Sequence, residues 1–339
     1  MYLLLIILSS KLRFDFLGAI NMDCHRKILS VALLFQGILF ALLIACTNDL
    51  PEKRKTPIKI DFEDVVSRDQ QEVVKEKHQA LRIAVAAMIS PESTYKYYVD
   101  LLELIAERLG SEVDFVQKRT YAQINEMLKK RELDFAFVCS GAYVMGKDDF
   151  GMEIIAVPVV HRKKIYHSYI IVHNESDIQS FDQLKNKVFA FTDPYSNTGY
   201  MVPTYLLARR KETPRTFFKK TFFTHSHDNS IKAVAERIAD GAAVDSLVWE
   251  FMNKVNPELT SRTRMVKKSP SYGMPPLVVH PSMEEEKKEK LRTLFFSLHE
   301  NSKGKELLKS IQIDRFEAGN DEDYDSVREM KRWMESQRG

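Results

Sequence analysis

From Leu81 to about residue 310 the chain keeps switching its hydrophobic period, and that switching restricts the folds open to it. Short apolar runs at Leu81–Val85, Val113–Val116, Leu133–Val138, Ile154–Val160, Tyr169–Val172 and Val188–Thr192 read as strands. Between them the apolar residues recur at helical spacing. Ser90 to Thr94 carries helix-start chemistry, Tyr98, Leu101, Leu102, Ile105 and Leu109 fall on one face, and Gly110 stops the helix. Thr120 and Gln123 make a capping-box-like start for a helix with Ile124, Met127 and Leu128 inward. The alternation continues with a helical turn from Ser180, a helix at 199–211, a strand at 221–224, a helix at 229–240 ended by Gly241, and a strand at 243–248. Short strands at 265–267 and 277–279 and helices at 283–299, 303–310 and 323–335 complete the pattern. Pro203 inside the 199–211 helix is expected to delay its start or kink it. Strands alternating with helices predict an α/β fold of mostly parallel sheets flanked by helices.

Two stretches break the pattern in a way that suggests crossings between two lobes. One is basic and aromatic, His161 to Val172; the other, Ser269 to Pro276, is too rich in proline for the interior of an element. A chain of 339 residues has room for two such lobes. The expected division is 80–168 and 275–339 for the first lobe with its C-terminal helices, and 169–274 for the second. Residues 46–79, polar and charged, read as a tether, with a short helix near 69–78.

The N-terminus sets the compartment. Residues 2–8 are apolar but too few to span a bilayer. Met22 to Lys27 forms a short basic region, Ile28 to Ala45 carries no charge, and Leu43-Ile44-Ala45-Cys46 follows. Basic, apolar, small residue, then Cys is the order of a secretory signal, and Leu-x-small-Cys resembles the lipobox of bacterial lipoproteins. The reading is translation from Met22, removal of residues 1–45 and lipidation of Cys46; an uncleaved anchor helix is the alternative. Either way the body faces outward. Beyond residue 45 there are 46 basic and 45 acidic residues, a balance that gives no basis for binding nucleic acid. With Cys24 removed and Cys46 lipidated, Cys139 is left alone and reads as a buried small hydrophobe.

Three strand-end loops could carry chemistry. In Thr192-Asp193-Pro194-Tyr195-Ser196-Asn197-Thr198-Gly199 a strand turns into a helix whose first N–H groups lack intrahelical partners. Ser196 and Thr198 add donors and Gly199 permits close approach, the makings of an oxyanion site; the plainer reading is a helix cap. Thr224 to Ser230 also lies between strand and helix and places His227 at a helix start. Asp245 and Ser246 end a third strand, where open α/β sheets bind ligands. No metal-ligand spacing is apparent. A hydrolase built on His225, Ser226, His227, Asp228 and Asp245 is conceivable, but the Ser-His spacing makes no nucleophile elbow.

Asp193-Pro-x-Ser-x-Thr-Gly-Tyr-x-x-Pro203, Ser226-His-Asp228, Val244-Asp245 and Leu133-Asp-Phe-Ala-Phe with Tyr143 downstream together resemble the phosphate/phosphite/phosphonate solute-binding proteins of ABC transporters. The resemblance covers roughly residues 80–310. It implies a type II periplasmic-binding-protein fold with ligand between two lobes, no cofactor, and a monomer that delivers its ligand to a membrane permease. It also implies that Ser196, Asn197, Thr198, Gly199 and His227 hold the anionic head group. Tyr95, Tyr143 and Tyr166 would close the other side, and Asp245 would face the rest of the ligand. Aminophosphonate binders of this kind place an acid near the second crossing, and Tyr272 to Pro276 has none. A sensor of the same fold, reporting to a signalling partner instead of a permease, is the competing function.

Overall fold

The computed structural model describes residues 80–336. The predicted signal segment, Cys46, the tether and the helix near 69–78 lie outside them. The described elements, in chain order, begin with β1 (Leu81–Val85), α1 (Pro91–Arg108), β2 (Val113–Val116), α2 (Tyr121–Lys129), β3 (Phe135–Phe137), α3 (Ser140–Phe150) and β4 (Glu153–Val159). They continue through β5 (Ile165–Tyr166), β6 (Ser168–His173), β7 (Val188–Phe191), α4 (Val202–Ala208), α5 (Pro214–Phe217), β8 (Lys220–Phe223), α6 (His227–Ala235), β9 (Gly241–Asp245), α7 (Ser246–Val255) and α8 (Pro257–Ser261). The chain then forms β10 (Thr263–Lys268), β11 (Tyr272–Gly273), β12 (Leu277–Val279), α9 (Glu285–Ser297), α10 (Ser302–Ser310), β13 (Arg315–Glu317) and α11 (Asp325–Ser336).

Two sheets carry the fold within one compact unit. The six-stranded sheet has the order β13-β4-β12-β3-β1-β2 and the five-stranded sheet β10-β6-β9-β7-β8. Strands linked by helices pair in parallel, β2-β1-β3 in one sheet and β8-β7-β9 in the other. The remaining pairs are antiparallel, so the sheets are mixed rather than mostly parallel. In the six-stranded sheet β12 returns from the other sheet and slots between β3 and β4, running against both, and in the five-stranded sheet β6 runs against both β9 and β10. The outward and return passages also meet each other, with Tyr166 opposite Tyr272 and Ile165 opposite Gly273. Each sheet buries its own aromatic cluster: Phe135, Phe137, Phe295 and Phe316 in the first, Phe181, Phe189, Phe191 and Phe218 in the second.

Several elements differ from the sequence reading. The strand expected at 243–248 ends at Asp245, whose carboxylate accepts from Leu247 N–H at 2.7 Å and starts a helix that buries Val248, Phe251 and Met252. Gly241 does not stop the preceding helix, which ends at Ala235; it opens β9, where Leu184 Cδ2 would lie 2.6 Å from a Cβ. Helix α3, helix α7 and strand β13 were not anticipated. The helix expected at 199–211 begins as a wide π turn over Asn197–Met201 before α4. Pro203 is the cause. It has no N–H to give Gly199 C=O, which accepts instead from Thr192 N–H at 3.2 Å.

Candidate functional site

The carboxyl ends of β1, β3, β7 and β9 and the loop after β8 converge between the sheets. The loop after β7 is shaped by its own side chains. Asp193 Oδ1 accepts from Tyr195 N–H at 2.8 Å, and its Oδ2 accepts from Tyr121 N–H at 3.2 Å, reaching the first residue of α2. Ser196 Oγ accepts from Gly199 N–H at 3.0 Å and so caps the π turn. A Cβ at Gly199 would lie 2.4 Å from Thr192 Oγ1 and 3.0 Å from His227 Cε1. The missing side chain therefore admits Thr192 and His227, where the sequence reading reserved the space for a ligand. Thr198 Oγ1 and Asn197 Oδ1 are buried and have no hydrogen-bond partner among the described residues. Buried polar atoms are almost always paired, so both atoms are open to a partner from outside the described residues.

His227 is fully buried at the start of α6. Its tautomer is set by one bond. Asp245 N–H donates to Nδ1 at 3.0 Å, so Nδ1 is the acceptor and the proton sits on Nε2. Nε2 lies 3.4 Å from Ser196 Oγ. Burial pushes the imidazole down to about 3, so it is neutral and acts as a donor. In that tautomer it cannot take a proton from Ser196. Ser226 Oγ caps α6 by accepting from Asn229 N–H, and Asp228 accepts from Ser90 N–H at 2.9 Å. Ser226, Asp228 and Asp245 of the conceivable hydrolase set are thus committed to capping and to a bond between the two halves. Among the described residues no cluster of three or more His, Cys, Asp or Glu could hold a metal ion.

Asp245 is buried, and loss of solvation pushes its carboxyl up to about 7, with the charge of Glu250 adding to the shift. It faces Tyr98, whose phenol burial and the Asp245 charge push up to about 12. Tyr98 and Asp245 stand in the wall of a cavity of about 100 Å3. Tyr98 was read from its spacing as a helix-face residue only. Its helical period was visible in the sequence, but not the opposite wall that it faces.

The other candidates separate. Tyr166, fully buried on the outward passage, accepts from Asn197 Nδ2–H at 3.0 Å and lies 4.0 Å from Cys139 Sγ. It joins Ser196, Asn197, Thr198, Gly199, His227 and Asp245 in one contiguous set. Tyr143 does not: its hydroxyl donates to Asp321 and its ring packs on Tyr324. Tyr95 is 53% exposed and stacks on Phe115, on the outer side of α1. Cys139 is buried, and burial pushes its thiol up to about 11, which leaves it unreactive.

Two sheets joined by paired passages, with polar strand-end loops enclosed between them, define a substrate-binding protein of the type II periplasmic fold. Residues 83–324 match the family of ABC transporter, phosphonate, periplasmic substrate-binding proteins, and the chain belongs to that family. It is similar to the phosphonates-binding periplasmic protein of Escherichia coli (strain K12), 22% identical over 268 residues, 78% of this chain and 79% of that one. Among solved structures, it resembles a binding protein component of an ABC phosphonate transporter from Pseudomonas aeruginosa. That match has a TM-score of 0.72 and 25% identity, and covers 76% of this chain and 87% of the other. PhnD1 from Prochlorococcus marinus (MIT 9301), in complex with methylphosphonate, superposes with a TM-score of 0.66 at 21% identity over 75% of this chain and 97% of that one. These are binding proteins and not enzymes.

Proposed function

We propose that the protein captures a small phosphorus oxyanion (phosphonate, phosphite or phosphate) and presents it to a membrane permease as an exported lipoprotein anchored through Cys46. One observation carries the choice of ligand: the hydroxyl of Thr198 is buried without a protein partner among the described residues, in the strand-end set that also holds the neutral, Nε2-protonated His227. An oxyanion needs donors, and this corner offers the Thr198 hydroxyl and the His227 imidazole N–H. The methylphosphonate bound by the Prochlorococcus protein is in keeping with this chemistry. The protein works as a monomer whose lobes, 80–168 with 275–339 and 169–274, close about the passages where Tyr166 faces Tyr272.

Mass spectrometry of ligand carried through purification, followed by calorimetric titration with phosphate, phosphite and methylphosphonate, tests the reading. It predicts a phosphorus compound in the purified protein and saturable binding of at least one of the three. Absence of both would overturn it. The anchor is tested separately: Cys46→Ser is expected to release the protein from membranes or leave an unprocessed precursor, and unchanged membrane fractionation would refute lipidation.

A further inference from the structure

A cavity of about 240 Å3, distinct from the one beside Asp245, lies between β6, β10, α4 and the return passage. None of Ser196–Gly199 or His227 lines it. Every charged residue in its wall is a cation: Arg209 at the end of α4, and Lys267 and Lys268 of β10. Arg210, next along the chain, is paired with Asp182. Arg209 and Lys267 make no ion pair among the described residues, and no carboxylate lines the cavity to balance them.

Strand β10 is built to bring Lys267 to this place. In its antiparallel pair with β6, Met265 stands opposite Ile171, and Lys267, not Val266, stands opposite Ile170. Val266 is therefore the extra residue of a β-bulge, and it packs in the same core as Ile170. In an unbroken ladder Lys267 would stand opposite Tyr169, on the other face of the sheet. The bulge moves it to the face of Ser168 and Ile170, both of which line the cavity. Lys268 takes the place opposite Tyr169 and holds its ammonium 5.8 Å from the centre of that ring, so its charge belongs to the far face.

Two cations on one cavity without a counter-charge repel each other, and an anion between them turns that repulsion into attraction. The guanidinium of Arg209 offers a planar fork of donors to a tetrahedral oxyanion, and the ammonium of Lys267 a point charge. At about 30 Å3 for each water-sized group, the volume takes a phosphate-sized group and several waters. We propose that this cavity is a second anion site, in which a phosphate group is held between Arg209 and Lys267. The site stands apart from the Ser196–His227 corner and does not depend on what that corner binds.

Equilibrium dialysis of the full chain against radiolabelled inorganic phosphate tests it, with Thr198→Val in every protein compared so that the first corner contributes little. Saturable binding of one phosphate per chain is expected. Arg209→Gln and Lys267→Gln are each expected to weaken it about tenfold, and Lys267→Arg, which keeps the charge, to retain it. Lys268→Gln, one residue further but on the opposite face, is expected to leave it unchanged within about twofold. Thermal melts that coincide across the set show that the fold is kept. Absence of saturable binding would overturn the site. Equal losses from Lys267→Gln and Lys268→Gln would overturn it too, because they would mark a response to net charge and not to a cavity on one face. Displacement of the phosphate by phosphatidylglycerol vesicles would assign the group to a lipid headgroup, and vesicles without effect would assign it to a solute; the site stands in both cases.

Discussion

His227 and Asp245 share one hydrogen bond and respond to pH in opposite senses. Burial lowers His227 from 6.5 to about 3. In that window the unfolded chain binds a proton that the folded chain does not, and stability rises with pH. Burial raises Asp245 from 3.8 to about 7, so there the folded chain holds the extra proton and stability falls as pH rises. Between 3.8 and 6.5 the slopes oppose, each on the order of 1 kcal/mol per pH unit, and largely cancel. Asp245→Asn keeps a good capping acceptor for α7 and removes one slope. Its stability relative to wild type is therefore expected to climb with pH across that window, as urea melts at stepped pH would read; parallel profiles for the two proteins would contradict the buried titration. Much at this scale was legible in advance. The run from Asp193 to Gly199 announces a turn, a cap and a close approach, all local chemistry. The place of Tyr98 was not, because it depends on a wall built from α7 and the return passage, far away in sequence.

At the scale of elements, the C-terminal helix is tied to α3 by one polar knot. Tyr143 donates to Asp321, which also pairs with Arg328 on α11, and Lys331 of α11 reaches Asp148 of α3. Tyr143→Phe keeps the buried ring and deletes the hydroxyl. The expected outcome is a loss of about 1.5–3 kcal/mol in stability, as for a hydrogen bond to a charged group, with ligand affinity unchanged within about twofold. An affinity loss above about tenfold, or 1.4 kcal/mol, at unchanged stability would return Tyr143 to the ligand. Elements with caps at their borders were the readable ones: the Thr120 capping box forms as the sequence implies, with Gln123 Oε1 accepting from Thr120 N–H at 3.1 Å. Helix α7 was hidden because the apolar run of β9 continues into Leu247 and Val248 without a break in polarity. Only Asp245, acting as a cap, marks the change of period. Strand β13 is three residues long, and its pairing with β4 supplies a partner that no local pattern reveals.

At the scale of the whole molecule, bonds that cross between the two sheet systems decide how tightly the site is enclosed. Asp228 at the start of α6 holds Ser90 N–H at 2.9 Å and lies 3.4 Å from Ser93 Oγ, both at the start of α1. Under the proposed hinge closure, Asp228→Ala removes this latch from the closed state alone. It is expected to enlarge the radius of gyration of the ligand-bound protein in X-ray scattering and to weaken ligand binding about tenfold, given about 1.5 kcal/mol for a hydrogen bond to a charged group. Unchanged scattering and affinity would mean that the latch does not control closure. The fold itself was legible from alternation and from two proline- and aromatic-rich interruptions. The mixed pairing was not, because it depends on where the crossing strands β6 and β12 insert. The central claim, that the Ser196–His227 corner holds the oxyanion, is tested most directly at Thr198, whose buried hydroxyl lacks a protein partner among the described residues. Calorimetric titration of Thr198→Val with the ligand identified for wild type, alongside thermal melts of the free proteins, is that measurement. The account predicts a free protein at least as stable as wild type and an affinity about 10- to 150-fold lower, the worth of one hydrogen bond to a charged group. Wild-type affinity in the variant would contradict it.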